Sequence, residues 1–122
     1  MSGTILTVDD SASVRMAIRL ALTGAGYQVA EAGDGAEALA RIDATRFDLV
    51  ITDLNMPRMD GLTMIRELRR RPSGAGVPVI FITTESDDAM KAQAKAAGAT
   101  GWLVKPFQPE QIVRVAQKVL GR

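Results

Sequence analysis

The stretch "LVITDLNMPRMDG", residues 49–61, runs four largely apolar positions into a single carboxylate, Asp53, and then breaks into a loop punctuated by Pro57 and Gly61. Side chains alternate faces along a strand, so an unbroken apolar run belongs to a strand buried on both sides, as in a parallel sheet. An acid closing such a strand has two readings. It is a turn residue, for which Asp is well suited, or it is held at the sheet edge to do chemistry.

The flanking sequence repeats the pattern. "TILTV" (4–8) and "VPVIFIT" (77–83) are β-branched and apolar, while "YQVAEA" (27–32) and "GWLV" (101–104) are shorter strand candidates. Between them lie segments of helical period. "SVRMAIRLALTGAG" places Val14, Ala17, Ile18, Ala21 and Leu22 on one face and stops at Gly24 and Gly26. "DGAEALARI" follows the turn at residues 33–35, and "LTMIRELRRR" turns Leu62, Ile65 and Leu68 inward. "SDDAMKAQAKAAGA" stops at Gly98, and "PEQIVRVAQKVLG" aligns Ile112, Val115, Ala116 and Val119. Five strand–helix units predict an α/β fold with a parallel sheet covered on both faces. Right-handed crossovers predict two helices on one face and three on the other.

Composition narrows the chemistry. The 122 residues suit one domain, 1–122, with an ordinary apolar share of 47% and a charged share of 24%. A net charge of +1 creates no field that argues for nucleic acid or a membrane surface. No apolar run approaches the roughly 20 residues of a membrane span. The N-terminus "MSGTILTVDD" lacks the basic start and long apolar stretch of a signal peptide, so the cytoplasm is the expected compartment. There is no cysteine and no histidine. Disulfides, zinc sites and Ser-His-Asp catalysis are therefore excluded, and any bound metal should be hard and oxygen-liganded.

Ligand crevices in open α/β sheets lie outside the carboxyl ends of the strands. The first strand ends in Asp9-Asp10, the third in Asp53, the fourth in Thr83-Thr84 and the fifth in Lys105-Pro106. The second offers only Glu31, expected on an edge strand. Each residue alone is ordinary. Together they crowd three acids and one lysine on a single rim, which is unfavourable without further positive charge. Mg²⁺ suits a small carboxylate set of this kind. An Asp nucleophile beside Mg²⁺, a lysine and a hydroxyl can accept a phosphoryl group, whose transfer needs mainly positioning and charge neutralisation. The chain has no Walker glycine-lysine loop for ATP, so the phosphoryl group should arrive on a partner. A histidine donor, in particular, must be the partner's.

"VDDS", "DLNMPRMDG", "TTES" and "VKPF", in this order at four strand ends, resemble the response-regulator receiver domain over essentially the whole chain. The resemblance implies a flavodoxin-like (βα)5 fold with strand order 2-1-3-4-5. It implies that Asp53 accepts phosphate from a sensor histidine kinase. Mg²⁺ would be held by Asp9, Asp10, Asp53 and the backbone carbonyl of Asn55. Lys105 would pair with the phosphoryl oxygens, and its peptide bond to Pro106 would be cis. Thr83 would be the switch hydroxyl, and Trp102 would stand at the switch aromatic, usually a Tyr or Phe. Asn55 and Glu85 match residues that tune phosphoryl lifetime.

Receivers of this type signal through the fourth helix, fifth strand and fifth helix, where Lys91, Lys95, Trp102 and Gln108 are the candidate contacts. The sequence carries no output domain, so the signal is expected to leave through a surface read by another protein, and a free-standing receiver is expected to be monomeric. The resemblance of "AGATGWLVKPF" and "TTES" to the chemotaxis branch implies a flagellar motor switch protein as the target. A phosphate sink or phosphorelay shuttle is the alternative. A phosphatase-like hydrolase is disfavoured, because Asn55 stands where such enzymes carry a second Asp. The run Arg69-Arg70-Arg71 is expected to be a solvated helix end, favoured there by the helix dipole, rather than a nucleic-acid contact.

Overall fold

Every residue from Leu49 to Asp53 is buried, because the strand they form, β3, lies at the middle of the sheet. The structure is a computed structural model that describes residues 3–54, 56, 59–84 and 88–121. The strands are β1 (Thr4–Val8), β2 (Gln28–Ala32), β3 (Leu49–Asp53), β4 (Val79–Thr83) and β5 (Gly101–Val104). The helices are α1 (Ala12–Gly24), α2 (Gly35–Ala44), α3 (Gly61–Arg69), α4 (Asp88–Ala96) and α5 (Pro109–Leu120). All strand pairs are parallel, in the order β2-β1-β3-β4-β5. The order expected from the resemblance holds.

Strand alternation divides the core in two. Ile5, Leu49, Ile51, Ile80 and Ile82 pack with Ile18 and Leu22 of α1 and Ile112 and Ala116 of α5. Leu6, Val8, Val50, Val79 and Phe81 pack with residues of α2, α3 and α4 on the other face. Two helices on one face and three on the other is the expected partition. One inward assignment is corrected. Ala17 is exposed, and Ile18 and Leu22 are the fully buried residues of α1.

Local chemistry starts the helices where the strands end. Ser11 caps α1, accepting from the Val14 N–H at 3.4 Å. Asp34 caps α2, accepting from the Glu37 N–H at 2.8 Å, and Asp60 caps α3, accepting from the Thr63 N–H at 2.8 Å. Each occupies an extended backbone and satisfies an N–H that the helix itself leaves open. α5 closes on Gly121 at φ +77°, the left-handed cap that favours glycine.

The arginine run departs from its solvated expectation. Arg69 donates to the carbonyls of Gly74 at 2.9 Å, Val77 at 2.6 Å and Gly98 at 2.8 Å. It thereby ties the end of α3 to the approach to β4 and to the turn after α4. Arg71 pairs with Asp43 of α2. Only Arg70 has the solvated character expected of all three. Loop carbonyls with no strand partner attract a planar five-donor side chain, and helical periodicity does not reveal them. No helix among the described residues is long and apolar enough to cross a membrane.

Candidate functional site at the carboxyl rim

The β1–β3 register pairs Val8 with Thr52, which carries the next residues, Asp9 and Asp53, to the same level of the rim. Carboxylate oxygens of Asp9, Asp10 and Asp53 lie within 4.8 Å of one another. Asp9 and Asp53 are buried, at 2% and 7% exposure, whereas Asp10 faces solvent. Lys105 reaches across from beyond β5, with its Nζ 3.1 Å from Asp9 Oδ2 and 3.3 Å from Asp53 Oδ2. Burial works to lower the pKa of this ammonium. Hydrogen bonds and charge from Asp9 and Asp53 outweigh it, so the net shift is upward from the ordinary 10.5.

The backbone of the lysine is held as well. The Lys105 N–H donates to the Thr83 carbonyl at 2.8 Å, and the Lys105–Pro106 peptide is cis. Thr83 is wholly buried at the end of β4, between Asp53 and Lys105 in strand order. Three carboxylates facing one ammonium form an anionic, oxygen-rich pocket with room for further positive charge. That donor set fits a hard divalent cation.

The loop after Asp53 is anchored at both ends. The Leu54 N–H donates to Ile82 at 3.3 Å, and the Gly61 N–H returns to the Leu54 carbonyl at 2.7 Å. A Cβ on Gly61 would lie 2.6 Å from the Asp53 carbonyl oxygen and 2.7 Å from Phe81. Glycine is required there for close approach, and Asp60 beside it starts α3. The sequence reading took Gly61 only as loop punctuation and did not name Asp60, although an Asp-Gly pair before an apolar helix is a visible cap-and-contact signal. Asn55 and Glu85 lie outside the described residues.

Trp102 is half-buried on β5, edge-to-face with Phe81 at 6.1 Å between ring centroids. It lines a cavity of about 270 Å³ with Lys91, Ala94 and Lys95 of α4. On its other side a cavity of about 420 Å³ is shared with Val115, Lys118 and Val119 of α5. Lys91, Lys95 and Gln108 are exposed, as expected. Gln108 precedes α5, where its backbone N–H donates to Gln111 Oε1 at 2.6 Å. Glu31 takes no part in the acid cluster. It pairs with Arg15 at 3.1 Å and Arg19 at 2.9 Å on α1.

Comparison with known proteins agrees with this geometry. Chemotaxis protein CheY1 of Helicobacter pylori is 39% identical over 119 residues, covering 96% of each chain. Some other curated relatives are longer, and the chain spans about half of their length, 48% in one and 53% in another. Among solved structures, chemotaxis protein CheY4 of Vibrio cholerae superposes with a TM-score of 0.94 at 43% identity, covering 98% of this chain and 100% of that one. The receiver domain of sensor histidine kinase PA1611 from Pseudomonas aeruginosa has a TM-score of 0.90 at 29% identity, with full coverage of both chains. That structure is described with a magnesium ion coordinated in its active-site cleft. The model of the response regulator receiver domain matches residues 5–117. The chain belongs to the response regulator receiver domain family.

Proposed function

We propose that this receiver domain accepts a phosphoryl group on Asp53 from the phosphohistidine of a sensor histidine kinase. The observation that carries this reading is the convergence of Asp9, Asp10 and Asp53 within 4.8 Å, with Lys105 bridging Asp9 and Asp53. An Asp53 carboxylate oxygen attacks phosphorus, the phosphorus–nitrogen bond breaks, and its electron pair stays on the donor's imidazole. The product is an acyl-phosphate, which gives Asp53 additional negative charge and acceptor oxygens. Lys105 pairs with those oxygens, and Thr83 is the hydroxyl that turns toward them. Asp9, Asp10, Asp53 and the Asn55 carbonyl would hold Mg²⁺, which when bound neutralises charge on the transferring group. The magnesium in the PA1611 receiver supports that assignment. Asn55 and Glu85 tune the lifetime of the acyl-phosphate.

The signal leaves through α4, β5 and α5, in chemotaxis to a flagellar motor switch protein. Similarity to two chemotaxis proteins, CheY1 and CheY4, supports this destination. Lys91, Lys95, Trp102 and Gln108 are the proposed contacts, with Trp102 placed between the two cavities a partner's side chains could fill.

The test is binding of a labelled N-terminal peptide of a motor switch protein in Mg²⁺, before and after addition of beryllofluoride. Trp102 fluorescence is followed in the same sample, and Asp53→Asn is the control. Tighter binding that requires Asp53 is the expected result. A fluorescence change without peptide binding would overturn the motor output and leave a sink or shuttle. No response in either signal, with no phosphorylated species by intact mass, would overturn the acceptor role.

A further inference from the structure

Every polar group of Asp9 is engaged. Its N–H donates to the Ala32 carbonyl of β2 at 3.1 Å. Its Oδ1 accepts the Ser11 N–H at 2.9 Å, and its Oδ2 faces Lys105 at 3.1 Å. The remaining group, the carbonyl oxygen, accepts Arg15 Nη1 from the first turn of α1. That guanidinium is itself held through Nε by Glu31 Oε1, and Glu31 Oε2 is taken by Arg19. Arg15 and Glu31 keep only 20% and 26% of their side-chain exposure. They therefore form a half-buried ion pair on the β2 side of the rim, opposite Lys105.

We propose that Arg15, oriented by Glu31, is a positioning residue for the acid pair, an inference that rests on the reading of Asp9 and Asp10 as metal acids. The Asp9 carbonyl belongs to the planar peptide joining Asp9 to Asp10. A charge-assisted bond to that oxygen fixes the plane, and with it the direction in which exposed Asp10 leaves the backbone. Asp10 otherwise sits on a solvated turn. Glu31 removes the cost of placing a second cation near the cluster while Arg15 holds the carbonyl. Groups that orient ligands in this way commonly matter about tenfold or more in metal affinity.

The sign of one substitution separates positioning from simple charge. A guanidinium acting only through its field repels Mg²⁺, so Arg15→Ala would tighten binding. A positioning role makes the same variant bind Mg²⁺ more weakly, by about tenfold. Arg19→Ala removes the same charge from the same glutamate without touching the carbonyl, and it should not weaken binding. Glu31→Gln should weaken binding in the same direction as Arg15→Ala, and the double variant should be less than additive.

The experiment is Mg²⁺ titration by calorimetry, joined to hydrogen exchange of the Asp10 and Ser11 amides in metal-free protein. Faster exchange at these amides in Arg15→Ala, with slow core amides unchanged, is the expected companion result. Should Arg15→Ala fail to fold, Arg15→Lys keeps the charge but loses the fork and serves the same comparison. Unchanged or tighter Mg²⁺ binding in these variants would overturn the inference while leaving the receiver reading intact. A wild-type protein that binds no Mg²⁺ would overturn the metal reading, and this inference with it.

Discussion

Lys105 Nζ lies 3.3 Å from Asp53 Oδ2, so the proposed acceptor is ion-paired across the rim while the same ammonium holds Asp9 at 3.1 Å. The pairing gives the metal-free pocket a defined pH response. Up to the ordinary lysine pKa of 10.5 the ammonium is charged in folded and unfolded chains alike, and its contribution is constant. Above that value the unfolded chain releases the proton first, because the folded pKa is raised. Stability from this group is therefore lost as pH rises through the folded value. Lys105→Met lacks that contribution and should be less stable at neutral pH. Urea unfolding of both metal-free proteins should show the difference shrinking in alkali, whereas a pH-independent difference would refute the linkage.

Asp10 shares the acid cluster but faces solvent. Asp10→Asn relieves repulsion among three carboxylates, so the metal-free protein should melt a few degrees higher. Mg²⁺ affinity should fall at the same time. Differential scanning calorimetry with and without Mg²⁺ checks both, and the two effects must have opposite sign.

Gly61→Ala drives a methyl group to 2.6 Å from the Asp53 carbonyl oxygen and 2.9 Å from Leu54 Cα. Backbone atoms on two sides leave little freedom to relax. The expected cost is about 1–3 kcal/mol by urea unfolding, the usual range for overpacking. Phosphorylation by a small-molecule phosphodonor should slow beyond what the lost stability explains, because the clash falls on the proposed acceptor's own peptide.

Asp60→Ala removes the cap of α3 and should cost about 1 kcal/mol. Asp60→Asn retains a side-chain oxygen for the Thr63 N–H and should be nearly neutral. Equal losses in the two variants would show that charge, rather than the hydrogen bond, sets the start of the helix.

Arg69→Ala strips three carbonyls of their donor at once. The expected loss is about 2–3 kcal/mol. Amide exchange should quicken locally around Gly74, Val77 and Gly98 before it quickens in the sheet. Arg69→Lys should recover little, since one ammonium cannot span three acceptors that a guanidinium reaches from two nitrogens.

The order of elements and the placement of the acid rim were legible in the sequence because both follow from period. Unbroken runs such as 79–83 mark two-faced burial, and strand polarity sends Asp9, Asp53, Thr83 and Lys105 to one edge whatever the helices do. Strand order was legible only through the family resemblance, since alternating units are compatible with several windings. What period does not carry is the destination of backbone groups. Arg69 reads as part of a solvated helix end, yet it ends on the carbonyls of Gly74, Val77 and Gly98. Arg15, to which helical period assigns no role, ends on the Asp9 carbonyl just before its own helix. Asp60 and Gly61 open α3 with turn chemistry that is visible in the sequence, but the close approach of Gly61 to Asp53 depends on how the chain returns to the sheet. Trp102 could be placed on the fifth strand, while its edge-to-face contact with Phe81 required the register of β4 and β5.

A parallel sheet of this kind ends in two strands that each have one unpaired side, an invitation to pair with another copy. Here both edges are blunted by residues already met at the rim. β5 is only four residues long and runs into Lys105 and Pro106, whose ring offers no N–H to continue a ladder. β2 carries Glu31, clamped by two arginines of α1, so a strand laid beside it would meet fixed charge. Fixed charge at the β2 edge and the brevity of β5 at the other thus oppose edge-to-edge association. Substitutions there should therefore be read for aggregation as well as for phosphoryl chemistry.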